Sequence, residues 1–391
     1  MNTDSHEGAE GLPQQEWSDE QHRQGSAQTQ VQIHDSIAIP HQHSSPHTGD
    51  LKLEFQKIRE IPEFSLIEAS PQQIQLFVGR FNQIASNVET VIQGKREVVE
   101  LVVLALVAEG HVLVEDVPGV GKTQLAKSLA RSIDGAFNRI QFTPDLLPSD
   151  VTGVSVWDRN RSEFEFKPGP IFANIVVGDE INRASPKTQS ALLEAMEERQ
   201  VTSDGMTREL GQPFMVVATQ NPLEHEGTYP LPEAQLDRFM MRVVIGYPSR
   251  QKELEMLDTH GVRSTFHDLE AVVTTEEIGE LISIARGVTV SQSVKTYIVD
   301  LVEGTRNHSD ILLGASPRSA LFLQRLARAR AASLGREYVT PDDVKALANP
   351  VLVHRMSLRP EAQMRGETLS EIIDEVMTRL RVPGTTSRVG T

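Results

Sequence analysis

The segment from residue 115 to residue 123 constrains the fold of this chain most, because it has the pattern of a phosphate-binding loop. Its sequence is Glu-Asp-Val-Pro-Gly-Val-Gly-Lys-Thr, which matches G-x-x-x-x-G-K-[ST] except that Asp116 stands at the first glycine position. In such a loop, glycines let backbone N–H groups approach phosphate oxygens, a lysine reaches the β- and γ-phosphates, and the next hydroxyl binds Mg²⁺. Lys122 and Thr123 supply the lysine and the hydroxyl. The nucleotide-binding residues predicted from this loop are Asp116, Pro118, Gly119, Val120, Gly121, Lys122, Thr123 and Gln124.

The residues around the loop predict where it sits in a fold. Residues 111–114 are typical of a buried strand, and residues 122–133 repeat apolar side chains at helical spacing. Short apolar runs at 175–177 and 214–217 are typical of parallel strands that are buried on both faces. A glycine-rich turn with an incidental lysine is the alternative, and the order strand, loop, helix disfavours it. The predicted fold class is therefore α/β, a P-loop parallel sheet flanked by helices.

Two acidic residues follow the apolar run that begins at residue 175. Asp179 would end that strand at its carboxyl edge, where ligands of open α/β sheets bind. We expect Asp179 to hold Mg²⁺ together with Thr123, and Glu180 to polarise an attacking water. Asn221 follows the next predicted strand, and its amide could orient that water, although an Asn-Pro pair is also common in turns. A strand that ends in two surface acids is the alternative interpretation.

Two arginines are candidates for stabilising the charge of phosphoryl transfer. Arg238 precedes the last predicted sheet strand, and Arg318 opens a helix much later in the chain. Such an arginine may come from the same chain or from a neighbouring subunit. An ordinary surface ion pair is the alternative for each of them.

The alternation of strands and helices predicts a domain organisation. We expect an α/β core at 71–247 and an all-helical domain at 248–385, because the strand pattern stops after Pro248. Within the core, two hairpins are predicted, one with its turn at 158–161 and one with an Asp-Gly turn at residues 204 and 205. Residues 1–70 are predicted to be a polar, disordered tail with a linker, and 386–391 a C-terminal tail.

Composition narrows the possible functions and partners. Asp and Glu number 54 against 38 Lys and Arg, a formal net charge of −16, so nucleic acid is an improbable partner. The chain has no cysteine, which excludes disulfides and thiol chemistry. The longest apolar stretch, 98–117, is interrupted by charged residues, so no membrane span is expected. No signal pattern opens the sequence, and a cytoplasmic location is the prediction.

The chain resembles the MoxR family of AAA+ ATPases over roughly residues 75–383. The resemblance is carried by four strings of residues, at 115–123, 141–150, 179–198 and 226–239. Asp116 in the glycine position is usual for that family. Strings of this length are far more specific than a loop motif alone.

The resemblance implies roles and partners that the residues alone do not. It makes Lys122 and Thr123 the Walker A residues, Asp179 and Glu180 the Walker B pair, Asn221 the first sensor, Arg238 a finger that acts on the neighbouring subunit, and Arg318 the second sensor on a helical lid. It also implies a homo-oligomer, generally a hexameric ring, and often a separate partner with a von Willebrand A domain.

The function expected from residues and resemblance together is Mg²⁺-dependent ATP hydrolysis, coupled to chaperone-like remodelling or maturation of a client protein complex. The cofactors expected are ATP and Mg²⁺. Two alternatives remain at this point: the motor subunit of a magnesium-chelatase-like metal inserter, and a slow nucleotide-gated switch.

Overall fold

A parallel five-stranded sheet lies at the centre of the protein in a computed structural model, which describes residues 68–221, 228–260 and 269–383. The predicted tails at 1–70 and 386–391 lie outside these residues, except for residues 68–70. The strands, numbered along the chain, are β1 (Val112–Glu115), β2 (Phe137–Gln141), β3 (Gly153–Asp158), β4 (Glu163–Pro168), β5 (Ile175–Asp179), β6 (Gln200–Ser203), β7 (Met206–Glu209), β8 (Met215–Gln220), β9 (Met241–Val243), β10 (Ile311–Leu313) and β11 (Ser357–Leu358).

Helices cover the sheet and form the later part of the chain. They are α1 (Pro71–Glu89), α2 (Arg96–Val107), α3 (Lys122–Ser132), α4 (Pro148–Thr152), α5 (Pro186–Glu198), α6 (Glu233–Leu236), α7 (Arg250–His260), α8 (Thr275–Gly287), α9 (Gln292–Arg306), α10 (Pro317–Ser333), α11 (Pro341–Leu352), α12 (Pro360–Met364) and α13 (Leu369–Arg379). The predicted α/β class with a parallel sheet flanked by helices is confirmed.

The order of the sheet is β2-β5-β8-β1-β9, so β8 lies between the strand before the loop and the strand that ends in Asp179. Val112 pairs with Val217, and Val177 also pairs with Val217 from the other side. This register brings the carboxyl ends of β1, β5 and β8 to one edge of the sheet. Polar residues that follow these three strands must therefore meet there.

Alternation along the strands explains why the sheet is covered on both faces. Val112 and Val114 pack with α1, α2 and α3 in one apolar cluster, whereas Leu113 packs with residues of α5 in a second cluster. Successive side chains of a strand point to opposite faces. A strand buried on both faces is apolar along its length, which is the pattern seen in β1, β5 and β8 up to the polar residues at their carboxyl ends.

Both predicted hairpins are present. Strands β3 and β4 pair from Gly153 with Pro168 to Asp158 with Glu163. Strands β6 and β7 pair across the turn at Asp204 and Gly205. Both of these turn residues have positive φ, as a tight hairpin turn requires.

The segment after residue 248 is mainly helical, as expected, but the prediction that strands stop there is wrong. The short strands β10 and β11 pair antiparallel, with Ile311 opposite Leu358. Two or three residues are too few for a period of two to show in the sequence. The predicted capping box at the start of α8 is confirmed, since the Thr274 hydroxyl accepts from the Glu277 N–H and the Glu277 carboxylate accepts from the Thr274 N–H. Among the helices described here, none is long and apolar enough to cross a bilayer.

Candidate nucleotide site

The predicted phosphate-binding loop connects the end of β1 to the start of α3. Gly119 and Gly121 have φ of +84° and +92°, a region that residues with a Cβ rarely adopt. Lys122 is the first residue of α3, so the loop leads into a helix N-terminus, where the first N–H groups point toward a bound anion instead of a carbonyl of the same helix. The Lys122 Nζ donates to the carbonyl oxygen of Asp116 over 2.5 Å. The chain therefore folds back on itself across the loop, as the cradle of a phosphate group requires.

Asp116 is buried and braces the loop instead of lining the cavity. One carboxylate oxygen accepts from the Val117 N–H at 2.8 Å, and the other accepts from the Gly246 N–H at 2.6 Å. Gly246 lies just after β9, so the carboxylate ties the loop to the neighbouring strand. This contact gives the departure from the glycine consensus a structural reason. Asp116 therefore differs from the predicted nucleotide-binding residues that line the cavity, because its carboxylate stabilises the loop instead.

Asp179 lies next to Thr123, as the sheet-edge argument requires. The Thr123 hydroxyl donates to Asp179 Oδ2 at 3.3 Å, and the Thr219 hydroxyl donates to Oδ1 at 3.2 Å. Arg139 Nε also donates to Oδ2, at 2.6 Å. Asp179 is only 6% exposed, so these three donors satisfy a carboxylate that water hardly reaches.

Glu180 has a left-handed backbone, with φ +58° and ψ +48°. Its N–H donates to the Thr219 hydroxyl, and its Oε2 accepts from Gln141 Nε2 at 2.9 Å. Arg183 Nε lies 3.3 Å from the same carboxylate oxygen. Strained backbone of this kind in a residue with a Cβ persists where the surroundings fix it, and it is concentrated at functional sites.

These groups surround one cavity of about 380 Å³ at the carboxyl edge of the sheet. The lining contains most of the predicted site: Pro118, Gly119, Gly121, Lys122, Thr123, Gln124, Asp179, Glu180 and Asn221. Asp116, Val120, Arg238 and Arg318 do not line it. The volume and the mixture of a cation, hydroxyls and carboxylates suit a phosphorylated ligand.

The cavity also includes three residues that the sequence analysis missed. Arg139 and Gln141 come from β2, and Thr219 comes from β8. β2 is an edge strand, and its exposed polar residues hide the apolar run that marked the other strands. A usable signal was present in the alternation of Arg139 and Gln141 with the buried Ile140 and Phe142.

Comparison with known proteins agrees with this geometry. The family model described as "ATPase family associated with various cellular activities (AAA)" matches residues 111–241, and the AAA lid domain model matches residues 303–376. Chaperone MoxR1 of Mycobacterium tuberculosis is 41% identical over 76% of this chain and 80% of its own length. The chain belongs to the MoxR family of AAA+ ATPases.

Further members of the MoxR family and a solved structure support the assignment. Protein MoxR of Paracoccus denitrificans is 31% identical over 78% of this chain and 96% of its own length. The uncharacterized protein YeaC of Bacillus subtilis is 52% identical over 76% of this chain and 93% of its own length. The crystal structure of an inferred ATPase from Cytophaga hutchinsonii has a TM-score of 0.75 and 36% identity, covering 84% of this chain and 99% of that one.

In this MoxR-family chain, the two arginines singled out from the sequence lie together but apart from the cavity. Arg238 Nε is 3.0 Å from one carboxylate oxygen of Glu197, and Arg318 pairs with the other oxygen. Glu197 lies near the end of α5, and the three residues line a separate cleft of about 200 Å³. We define Arg238, Arg318 and Glu197 as the arginine pair site.

The arginine pair site is held by contacts between the core and the helical segment. The Ser316 hydroxyl, at the N-cap of α10, donates to both carboxylate oxygens of Asp237 at 2.8 and 2.9 Å. Arg355 Nε lies 3.5 Å from Asp237 as well. Burial lowers the pKa of Arg355 to about 10, although the nearby Asp237 charge opposes that shift. Because Arg238 and Arg318 are each within two residues of this junction, both arginines are fixed relative to one another.

Proposed function

We propose that this MoxR-family protein hydrolyses ATP with Mg²⁺ and couples hydrolysis to chaperone-like remodelling of a client protein complex. The observation that carries the proposal is the meeting of Thr123 and Asp179, 3.3 Å apart, in a cavity that also contains Lys122 and Glu180. A hydroxyl and a carboxylate are the hard oxygen ligands that Mg²⁺ accepts, usually together with water and substrate phosphates. The residues present therefore fit the metal and the nucleotide.

Each group in the cavity has a role in this proposal. Lys122 and the N–H groups of the loop bind and orient the phosphates, and Thr123 and Asp179 hold Mg²⁺. Bound Mg²⁺ supplies positive charge that neutralises the phosphate oxygens during transfer. Glu180 accepts the proton of the attacking water, and the Asn221 amide orients that water. The contacts of Glu180 with Gln141 and Arg183 support this role, since they fix the carboxylate before substrate arrives.

We further propose that the arginine pair site acts on the nucleotide of a neighbouring subunit. Neither Arg238 nor Arg318 lines the cavity of its own chain, whereas transfer needs positive charge near the γ-phosphate. Closed ring assembly is a way for every subunit both to receive and to supply such a group. The expected ring is a hexamer, with a separate von Willebrand A-domain partner and a cytoplasmic location.

Replacement of Glu180 by Gln tests the proposal directly. The amide keeps the size of the side chain but cannot accept a proton, so ATP binding should persist while turnover falls about 10²- to 10⁴-fold. The matched control is Glu194→Gln, an exposed glutamate on α5 outside the cavity. Steady-state phosphate release and equilibrium nucleotide binding measure the two effects.

Repeated turnover at the same rate in wild type and Glu180→Gln would remove Glu180 from the mechanism. A wild type that does not complete repeated turnovers would favour the nucleotide-gated switch instead. Affinity capture with the Glu180→Gln form in ATP then identifies the client, because a slow complex retains what it binds.

A further inference from the structure

A second arginine-rich cleft lies where the core meets the helical segment, away from the cavity for nucleotide. It has a volume of about 270 Å³ and lies between the end of α2, the end of α8 and the middle of α10. Its lining residues are Val107, Ala108, Glu109, Ala285, Arg286, Arg325 and Arg328. We refer to these residues as the junction cleft.

The single carboxylate of the junction cleft is already fully engaged. Glu109 accepts from Arg199 at 2.5 Å and from Arg286 through its other oxygen. Burial raises the pKa of Glu109, but the hydrogen bonds from these two arginines outweigh burial and leave the pKa below its ordinary value. Glu109 therefore stays ionised and is shared between two cations, so it cannot neutralise others.

Arg325 and Arg328 lack that compensation. Within 68–221, 228–260 and 269–383, neither side chain has an ion pair or a hydrogen bond, and Arg328 Nε is buried without a partner. Burial lowers the pKa of both guanidinium groups, although for Arg325 the charge of Glu109 acts in the opposite direction. Arg325 is exposed and Arg328 is half-buried, so the cost of burial falls mainly on Arg328. A partly desolvated cation without a counter-charge is costly, and proteins normally pair such a group.

We propose that the junction cleft binds a small phosphate-bearing anion through Arg286, Arg325 and Arg328. The cleft holds two positive charges in excess, and a phosphate group carries close to two negative charges on three strong acceptor oxygens. Guanidinium groups bind such oxygens through paired N–H donors. A single carboxylate would neutralise only one of the two arginines. The volume accommodates orthophosphate or diphosphate.

Binding at this cleft would link two helices of the helical segment. Arg286 belongs to α8, and the two unpaired arginines belong to α10, whereas Glu109, which follows α2 in the core, forms one wall of the cleft. An anion held by arginines of both helices stabilises their contact in the folded state. The site is thus independent of the phosphate-binding loop, and it does not depend on the proposed ATPase function.

Calorimetric titration of the full chain with sodium diphosphate and with orthophosphate tests the proposal. The titration is made on Lys122→Ala, which weakens anion binding at the loop, and on Lys122→Ala combined with Arg325→Gln and Arg328→Gln. The first protein should bind one anion, and the second should bind it at least about tenfold more weakly. Lys122→Ala with Arg365→Gln is the control, since it removes an exposed arginine that pairs with Asp310 elsewhere.

Three outcomes would overturn the proposal. The affinity for phosphate could be unchanged by the two cleft substitutions, or it could be reduced equally by Arg365→Gln. In the third, acetate would bind as tightly as phosphate. Circular dichroism checks the fold of each variant. If the combined variant does not fold, Arg325→Gln alone decides, because Arg325 is exposed and its replacement perturbs packing least. Orthophosphate and diphosphate distinguish a site for one phosphate group from a site for two.

Discussion

The nucleotide cavity and the arginine pair site are assembled in opposite ways. The cavity is formed at one edge of a sheet, where Asp179 is 6% exposed and is surrounded by donors from neighbouring strands. The arginine pair site joins segments that are far apart in the sequence through the carboxylate of Glu197, and its side chains are about one-third exposed. The parallel pairing of the strands thus sets the positions of the cavity residues. The positions of the two arginines depend instead on how α10 packs on the core.

In the proposed mechanism the cavity contains the groups that bind the nucleotide, whereas the two arginines proposed to stabilise transfer lie in another cleft. One chain would then bind nucleotide well and turn it over poorly by itself. Activity should depend on contact between subunits, and variants of the two sites should have distinguishable effects.

The largest expected effect comes from Arg238→Ala. Loss of an arginine that stabilises the transition state reduces turnover about 10³-fold or more. Nucleotide binding should stay nearly unchanged, because Arg238 does not line the cavity of its own chain. Arg161→Ala, which changes an exposed arginine in the turn between β3 and β4, should leave both quantities unchanged.

Mixing subunits sharpens that prediction. Lys122→Ala alters the cavity and leaves the arginine pair site intact. Arg238→Ala alters the arginine pair site and leaves the cavity intact. Each variant alone should be nearly inactive, whereas a mixture under conditions of subunit exchange should regain part of the turnover. Absence of rescue, with exchange shown by mass spectrometry, would place the action of Arg238 within its own chain.

A smaller effect is expected from pH, through a histidine that lines the cleft of the arginine pair site. His111 is buried, its Nε2–H donates to the Met196 carbonyl oxygen, and its Nδ1 accepts from the Val216 N–H. Burial lowers the pKa of His111 from 6.5 to about 4, so the folded protein keeps the ring neutral where the unfolded chain protonates it. Stability from this group is fully present above pH 6.5 and is lost as the pH falls toward 4.

The size of this effect follows from the two pKa values of His111. The contribution of His111 to the free energy of unfolding should fall by about 1.4 kcal/mol between pH 7.5 and 5.5, and by about 3 kcal/mol by pH 4. Urea unfolding of wild type and His111→Gln isolates the contribution. The comparison is needed because burial also lowers the pKa of His354, with the same sign. Equal pH dependence in the two proteins would show that His111 contributes nothing to it.

More of the cavity than of the arginine pair site could be predicted from the sequence, and the reason is physical. The contact between Thr123 and Asp179 was predictable, because carboxyl ends of parallel strands share one edge. Arg139 and Gln141 were missed, because an exposed edge strand lacks the apolar run of a central strand. The bracing of Gly246 by Asp116 was also missed, because it joins residues 130 positions apart.

The position of Arg318 could not be predicted from a pattern at all. It depends on the bond from Ser316, at the N-cap of α10, to Asp237 in the core, and on a carboxylate from α5. No local period or spacing encodes a contact between three separate elements. The same holds for the junction cleft, whose arginines come from two helices of the later segment.

The smallest of these effects is expected from Glu197→Gln, and it tests whether the arginine pair site is a unit. The amide removes the charge that holds Arg238 and Arg318 together but keeps the shape of the side chain. Because these side chains are about one-third exposed, the pairs contribute no more than about 1.5 kcal/mol, so turnover should fall roughly tenfold at most while nucleotide binding persists. Glu198→Gln, an adjacent exposed glutamate without an ion pair in the described part of the chain, is the matched control. Since Glu197 would act through the arginines, its variant should be rescued by Lys122→Ala subunits just as Arg238→Ala is. A slow variant that is not rescued would instead assign Glu197 to the folding of its own chain, and the two regions would no longer be separable in function.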